Sequence, residues 1–304
     1  MTADQGSTRR IETLDELPED TARDVLGLIE EAARQDGPSA VSEQGRLHLR
    51  RPRAGVRHLL LHADGRLVGY AQLEDTDPVE APAGELVVHP SYRGRGHGRA
   101  LGEALLAESG RRLRVWAHGG HPAARHLAGA LGLFLFRELR QMRRPLTGLV
   151  LEEPVLPEGV LVRTFVPGRD EADWLAVNAA AFAHHPEQGG WTSRDLADRL
   201  AEPWFDPAGF FLAVRGERIV GFHWTKVHEA ERLGEVYVLG VDPAEQGGGL
   251  GKALTTIGLR HLADDRGLPT AMLYVDADNA PAVAVYERLG FTTHETDLMY
   301  RTEA

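Results

Sequence analysis

Two glycine-rich loops, each between an apolar strand and a helix-forming segment, carry residues whose spacing suits anion binding. Both have the pattern Arg/Gln-x-x-Gly-x-Gly, formed by Arg93, Gly96 and Gly98 in the first loop and by Gln246, Gly249 and Gly251 in the second. Glycine lets the backbone adopt positive φ and approach a ligand closely. The unpaired N–H groups and the dipole of a helix N-terminus favour an anion. Each loop is therefore predicted to hold phosphate groups.

Two other kinds of phosphate loop do not fit these residues. A Walker loop needs glycine five positions before Gly251 and Ser or Thr after Lys252, but Gln246 and Ala253 occupy those positions. The dinucleotide fingerprint Gly-x-Gly-x-x-Gly matches neither loop. A nucleoside triphosphatase and a Rossmann dehydrogenase are therefore both disfavoured.

Glu235 is a candidate for acid–base chemistry. It lies near the start of the predicted strand "GEVYVLGVDP", and a carboxylate in a mostly apolar strand loses hydration unless it has a partner or a chemical role. We interpret it as a general base that acts through water, although an exposed glutamate at a strand end would fit the same pattern. Four histidines of the second half are His184, His185, His223 and His228. Their spacing does not match a familiar metal site, so we expect no metal.

The elements that must position these residues occur twice. The segment "LVGYAQL" resembles "IVGFHWT", and "VHP" before the first loop aligns with "VDP" before the second. Hydrophobic periodicity predicts the order β-α-α-β-β-β-α-β-α-β in each half, with helices that include residues 21–33 and 170–183. The sequence thus predicts a mixed α/β fold of two tandem domains, 1–148 and 149–304. Each is expected to be a mostly antiparallel sheet flanked by helices.

Composition narrows the classes of partner. The 304 residues include no cysteine, which excludes disulfides and thiol nucleophiles, and the net charge is -11, which argues against nucleic acid. We see no signal peptide and no membrane segment, so we expect a cytoplasmic protein. We also expect a monomer. Lysine occurs only at 226 and 252, a bias that suggests a GC-rich, actinobacterial source.

The loops, together with "NAPAVAVYERLGF", resemble the GNAT superfamily of N-acetyltransferases. The resemblance implies that backbone amides of the loops hold the pyrophosphate of acetyl-CoA. It also implies that Tyr286 protonates the departing thiolate, whereas a tyrosine on an amphipathic helix is otherwise a core residue. Backbone groups near Leu239 are expected to meet the acetyl carbonyl, with a β-bulge in this strand. Asn279 is expected to contact CoA, but helix capping explains it equally well.

The first half lacks the proton-transfer residues of the second. The positions that align with Glu235, Tyr286 and Asn279 are Pro82, Ala128 and His121. We therefore predict that the first half is non-catalytic and retains an acetyl-CoA site.

The segments "AFAHHPEQGGWT" and "GFHWTKVH", with the tandem arrangement, resemble the mycothiol synthase family over almost the whole chain. These enzymes acetylate the cysteinyl amine of desacetylmycothiol (Cys-GlcN-Ins). The resemblance implies acceptor-binding roles for Glu43, Glu187, Lys226, Glu235 and Tyr274. It implies acetyl-CoA contacts in the first half at Leu86, Val87, Val88, Gly94, Arg95, Gly96, His97, Gly98 and Arg99. In the second half it implies them at Leu239, Gly240, Val241, Gln246, Gly247, Gly248, Gly249, Leu250, Gly251, Lys252, Asn279, Ala280, Pro281, Ala282, Val283 and Ala284.

Other functions remain open at this point. An acetyltransferase of an aminoglycoside, a polyamine or a protein N-terminus would carry the same loops, and a CoA-sensing module without catalysis would resemble the first half. Glu187 fits a solvated surface loop as well as a binding site, and Lys226 fits the edge of a strand.

Overall fold

The computed structural model describes residues 9–77, 80–148, 152–183 and 188–303. In its first half the elements are β1 (Arg9–Leu14), α1 (Glu19–Asp36), α2 (Glu43–Arg50), β2 (Val56–Ala63), β3 (Arg66–Glu74), β4 (Ala83–Val88), α3 (His97–Glu108), β5 (Arg114–Ala117), α4 (Pro122–Ala130) and β6 (Phe134–Pro145). In its second half they are β7 (Val160–Thr164), α5 (Glu171–Ala181), α6 (Ser193–Leu200), β8 (Phe210–Arg215), β9 (Arg218–His228), β10 (Leu233–Val241), α7 (Leu250–Arg260), β11 (Thr270–Asp276), α8 (Ala280–Arg288) and β12 (Thr292–Arg301). The predicted order of elements is confirmed in both halves.

These residues form two compact units. Unit 1 consists of the described residues within 1–140, 276–278 and 295–304, and unit 2 of those within 141–275 and 279–294. Neither unit is one continuous stretch, because the end of β12 belongs to unit 1 and the end of β6 belongs to unit 2. The predicted mixed α/β fold of two tandem domains, each with a helix-flanked sheet, is confirmed. The limits 1–148 and 149–304 stay a prediction about the two repeats.

The sheets of the two units have matching strand orders. Unit 1 has β1-β2-β3-β4-β5-β12, and unit 2 has β7-β8-β9-β10-β11-β6. β4 and β5 pair in parallel, as do β10 and β11. The ladder between β4 and β5 covers only Ala83 and Gly84, whereas the one between β10 and β11 runs from Leu233 to Val236. Within the described residues, neither ladder extends to the end of β4 or β10, so a gap can open between the strands beside each glycine loop.

The helices pack through apolar stripes. In α1 the buried residues Val25, Leu28, Ile29 and Ala32 recur at helical spacing. α5 contributes Trp174 and Val177 to an aromatic core that includes Trp224. Among the described residues, no helix is both long and apolar enough to cross a bilayer.

A β-bulge distinguishes β10 from β4. The register between β9 and β10 shifts between Val236 and Val238, so Tyr237 is the extra residue. The ladder between β3 and β4 runs without a shift from Glu74 opposite Ala83 to Gly69 opposite Val88. The bulge expected in β10 is thus confirmed, and β4 has no counterpart.

Candidate functional site

The glycine loop of unit 2 presents main-chain N–H groups at the start of α7. Gly247 has φ 86° and Gly249, the residue that precedes the helix, has φ 83°. A Cβ on either would meet nothing within 4 Å, so these positions require glycine for the backbone conformation and not for space. Gln246 Nε2 donates to the carbonyl of Val241 at 3.3 Å and ties the loop to β10. The arrangement suits a phosphate group.

The loop of unit 1 repeats this geometry. Gly96 has φ 77° and precedes α3, and Arg93 Nε donates to the carbonyl of Val88 at 3.1 Å, as Gln246 does to Val241. The guanidinium of Arg93 also binds both carboxylate oxygens of Asp36, at 2.7 and 2.6 Å. The charge of Arg93 is therefore neutralised inside unit 1.

A cavity of about 530 Å³ adjoins this first loop. It is lined by the end of β4, the residues that follow β5, and helix α4. At this level the hydrogen-bonded ladder between β4 and β5 has already ended. Every residue predicted for the first acetyl-CoA site lines it except Arg95. Arg95 lies over the ring of Tyr92 at 5.2 Å and donates to the carbonyl of Ser91.

Glu235 is a buried strand residue. It is 6% exposed, which does not fit the alternative of an exposed strand end. It pairs across the sheet with Lys226 on β9 and with Met272 on β11. Its Oε2 lies 2.7 Å from Nε2 of His228, a partner that the sequence did not reveal. The strand alternation could have found His228, because it stands opposite Leu233, two positions from Glu235.

Lys226 is buried as well. Its exposure is 8%, and its Nζ lies 4.3 Å from the ring centroid of Trp204 and 5.2 Å from that of Tyr237. A solvated strand edge therefore does not describe this lysine.

Tyr286 lies on α8 against the hydrophobic core of unit 2. Its ring contacts Phe291 edge to face at a centroid distance of 5.9 Å. Burial raises the pKa of its hydroxyl, so the phenol is protonated at neutral pH. Tyr286 and Leu239 both pack against the cluster that includes Val236. The phenol and the end of β10 thus border the same core.

Three further predicted residues of unit 2 have contacts of their own. Asn279 caps α8, because its Oδ1 accepts from the N–H of Ala282 at 3.2 Å. Lys252 follows the glycine loop, with its Nζ 3.1 Å from Glu152 Oε2. Tyr274 on β11 is 41% exposed, and its hydroxyl accepts from Gln141 Nε2 at 2.8 Å.

The other predicted acceptor residues are placed differently. Glu43 is the first residue of α2 in unit 1 and is half-buried. Glu187 lies outside the described residues, as do His184 and His185. Within the described ranges, no group of three or more His, Asp or Glu side chains is arranged to hold a metal ion.

Unit 1 has a different chemistry at the positions that align with the candidate site. His121 caps α4 through Nδ1, which accepts from Ala123 N–H at 3.2 Å, just as Asn279 caps α8. Ala128 is buried on α4, and Pro82 precedes β4. Side chains that could replace Glu235 and Tyr286 are therefore lacking at these aligned positions.

A buried ion cluster occupies part of unit 1. His118 lies between two carboxylates, with Nε2 2.9 Å from Glu85 Oε1 and Nδ1 3.0 Å from Asp297 Oδ2. Burial alone would lower the pKa of His118, but hydrogen bonds with Asp297 and Glu85 and their negative charges raise it to about 10. The imidazolium is thus held by both ring nitrogens and cannot accept a proton from a substrate.

Comparisons with known proteins agree with this architecture. Residues 177–291 match the acetyltransferase (GNAT) family, and residues 54–132 match an acetyltransferase (GNAT) domain. The chain is 75% identical to the mycothiol acetyltransferase of Streptomyces coelicolor over 309 aligned residues, which cover 100% of both chains. It is 54% identical to that of Thermomonospora curvata, over 95% of this chain and 96% of the relative.

Two solved structures share the fold. A tandem GNAT protein from the clavulanic acid biosynthesis pathway superposes with a TM-score of 0.76 at 18% identity, over 97% of this chain and 98% of the other. A GCN5-related N-acetyltransferase from Sphaerobacter thermophilus gives a TM-score of 0.66 at 24% identity, over 96% and 95%. At these identities the structures support the fold alone.

Proposed function

We propose that this chain, which belongs to the mycothiol acetyltransferase family of GNAT enzymes, transfers an acetyl group from acetyl-CoA to the cysteinyl amine of desacetylmycothiol, giving mycothiol and CoA. The observation that carries the mechanism is the buried Glu235, beside the bulge of β10 and paired with His228. A buried carboxylate that is hydrogen-bonded to a partly exposed histidine is suited to general base catalysis.

Acetyl-CoA is assigned to the loop of residues 246–252 and to the end of β10. Support comes from the positive φ of Gly247 and Gly249, which aims N–H groups outward at the start of α7. The backbone of residues 239–241 would face the pantetheine and the thioester carbonyl. The first turn of α8, 279–284, extends the same site.

Glu235, acting through water, removes the proton of the cysteinyl ammonium, so that the neutral amine can attack the thioester carbonyl. An α-amine has a pKa of about 7.7–8.0, so modest basic help produces the neutral nucleophile. His228 is partly exposed, with 26% of its side chain accessible, while its Nε2 contacts Glu235. It can therefore pass the proton from the buried carboxylate to solvent.

Tyr286 supplies a proton to the thiolate that leaves. Burial raises the pKa of the phenol, so the hydroxyl keeps its proton at neutral pH. A thiol has a pKa near 8.5, below that of the phenol, so Tyr286 first stabilises the developing thiolate by donating a hydrogen bond, and the proton released by the attacking amine restores the phenol once its own proton has passed to sulfur.

The acceptor is assigned to Glu43, Glu187, Lys226, Glu235 and Tyr274, as the family resemblance implies. Carboxylates suit its ammonium group, and the ammonium of Lys226 and the hydroxyl of Tyr274 suit its sugar and inositol hydroxyls. We assign the chemistry to residues 149–304 and only acetyl-CoA binding to 1–148. We also propose a cytoplasmic monomer that needs neither metal nor a nucleic acid or membrane partner.

The test is a thiol-release assay. Purified protein with acetyl-CoA and Cys-GlcN-Ins is expected to release free CoA and form N-acetylated product by mass spectrometry. An aminoglycoside, a polyamine and a peptide N-terminus serve as competing acceptors. Preferred turnover of one of these would refute the proposed acceptor, and no turnover of any amine would favour a CoA-binding module.

A further inference from the structure

Two buried cations lie among aromatic rings beside Glu235 in unit 2. We call this set the aromatic box and define it as Trp191, Arg199, Trp204, Lys226 and Tyr237. Arg199 Cζ lies 3.8 Å from the ring centroid of Trp191, and Lys226 Nζ lies 4.3 Å from that of Trp204. Both cations are less than a tenth exposed, at 7% and 8%. Ring faces compensate in part for the hydration that they lose.

Tyr237 connects the two cations. Its hydroxyl accepts from Arg199 Nε at 2.9 Å, and its ring lies 5.2 Å from Lys226 Nζ. Arg199 is fixed at a second point, where Nη1 donates to the carbonyl of Asp195 at 3.0 Å. Tyr237 also meets the ring of Trp204 at a centroid distance of 5.1 Å. Arg199 and Lys226 are therefore linked through one tyrosine side chain.

The box shares a sheet face with the proposed base. Lys226 stands directly opposite Glu235, and residues opposite each other in an antiparallel pair project to the same side. Trp224 lies two positions before Lys226 and thus on that side, where α5 and α6 cover the sheet. The bulge at Tyr237 lets Glu235 and Val238 face the same way, although they are three positions apart.

We propose that Arg199, Tyr237 and Trp204 are positioning residues for a polyhydroxylated acceptor. They hold the Lys226 ammonium in one place, so that its N–H groups meet sugar or inositol hydroxyls when the amine lies against Glu235. This inference rests on the proposed function. Fixing a free lysine side chain costs rotamer entropy that is equivalent to about 30-fold in affinity, and a preorganised lysine avoids that cost on binding.

The variant Tyr237→Phe tests the proposal, because it removes the hydroxyl and keeps the ring. The bond that is lost lies within the protein, so its loss loosens Lys226 and removes part of that preorganisation. We expect the KM for desacetylmycothiol to rise by about tenfold, while kcat and the KM for acetyl-CoA change by less than about twofold. Arg199→Lys keeps the charge but loses the planar fork that reaches both the phenol and Asp195. Both substitutions remove the same hydrogen bond, between Arg199 and Tyr237. The acceptor KM of the double variant should therefore rise by less than the product of the two single effects.

Phe165→Leu provides the matched control. Phe165 stacks on Phe210 in the same aromatic core and is 2% exposed. The control should lower the melting temperature and leave the acceptor KM unchanged. An unchanged acceptor KM in Tyr237→Phe, or an equal rise in both KM values, would overturn the positioning role. If the wild-type protein does not turn over desacetylmycothiol, the proposed function fails and this inference fails with it, which separates the two cases.

Discussion

Replacing His118 with Gln should destabilise the protein, because Glu85 and Asp297 would stay buried without the positive charge of the imidazolium. Glu85 is 7% and Asp297 8% exposed, and their contacts with the imidazolium are 2.9 and 3.0 Å long. Other groups also bind them, since Ser42 N–H donates to Glu85 and Gly119 N–H donates to Asp297. Removing one partner of a buried ion pair costs about 3–5 kcal/mol. At about 2–4 °C for each kcal/mol in a chain of this size class, the melting temperature should fall by roughly 10 °C.

The pH dependence identifies the cause. The pKa of His118 is about 10 in the folded protein, above its ordinary value of 6.5. A raised pKa gives stability that is fully present below pH 6.5 and is lost as the pH rises through 10. The difference in unfolding free energy between wild type and His118→Gln should therefore be largest at acidic pH and shrink steadily toward pH 10.

Urea unfolding, followed by circular dichroism across this pH range, measures that difference. His294→Gln, at an exposed position on β12, is the control and should unfold like the wild type. A difference between wild type and His118→Gln that is small at pH 6, or that does not change up to pH 10, would show that His118 does not stabilise unit 1 as a buried imidazolium.

Further predictions concern catalysis and packing. Glu235→Gln should lower kcat/KM by about 100-fold or more and alter the pH–rate profile, whereas an unaltered profile would move the base elsewhere. Tyr286→Phe should lower kcat in steady-state assays with little change in either KM, because the phenol acts as the thiolate leaves. Gly96→Val, at φ 77°, should abolish acetyl-CoA binding to unit 1 by calorimetry and spare kcat. A methyl group on Gly258 would overlap the buried ring of His223, so Gly258→Ala should cost about 1–3 kcal/mol in urea unfolding.

Much of the fold follows from local sequence signals. Hydrophobic periodicity and the two loops are sufficient for the order of elements, because helix and strand spacing are properties of neighbouring residues. The exchange of end strands is not local. β12 pairs with β5, and Asp297 meets His118 across 179 positions, so no pattern in either segment indicates the partner.

The sequence predicts part of the candidate site, and the remaining contacts appear only in the folded structure. Glu235 stood out as an acid in an apolar strand, and its burial agrees with that argument. Arg199 did not stand out, because an arginine on an amphipathic helix is ordinarily solvated. Its contact with Tyr237 depends on a one-residue bulge in a strand 38 positions away. Such a contact requires the folded structure.

Acetyl transfer to Cys-GlcN-Ins, measured for the wild type, Glu235→Gln and Gly96→Val proteins at equal concentration, shows which repeat carries the chemistry. We expect rapid CoA release by the wild type and by Gly96→Val, and loss of nearly all activity in Glu235→Gln. Full activity in Glu235→Gln, or activity lost only in Gly96→Val, would contradict the assignment of the chemistry to the second repeat.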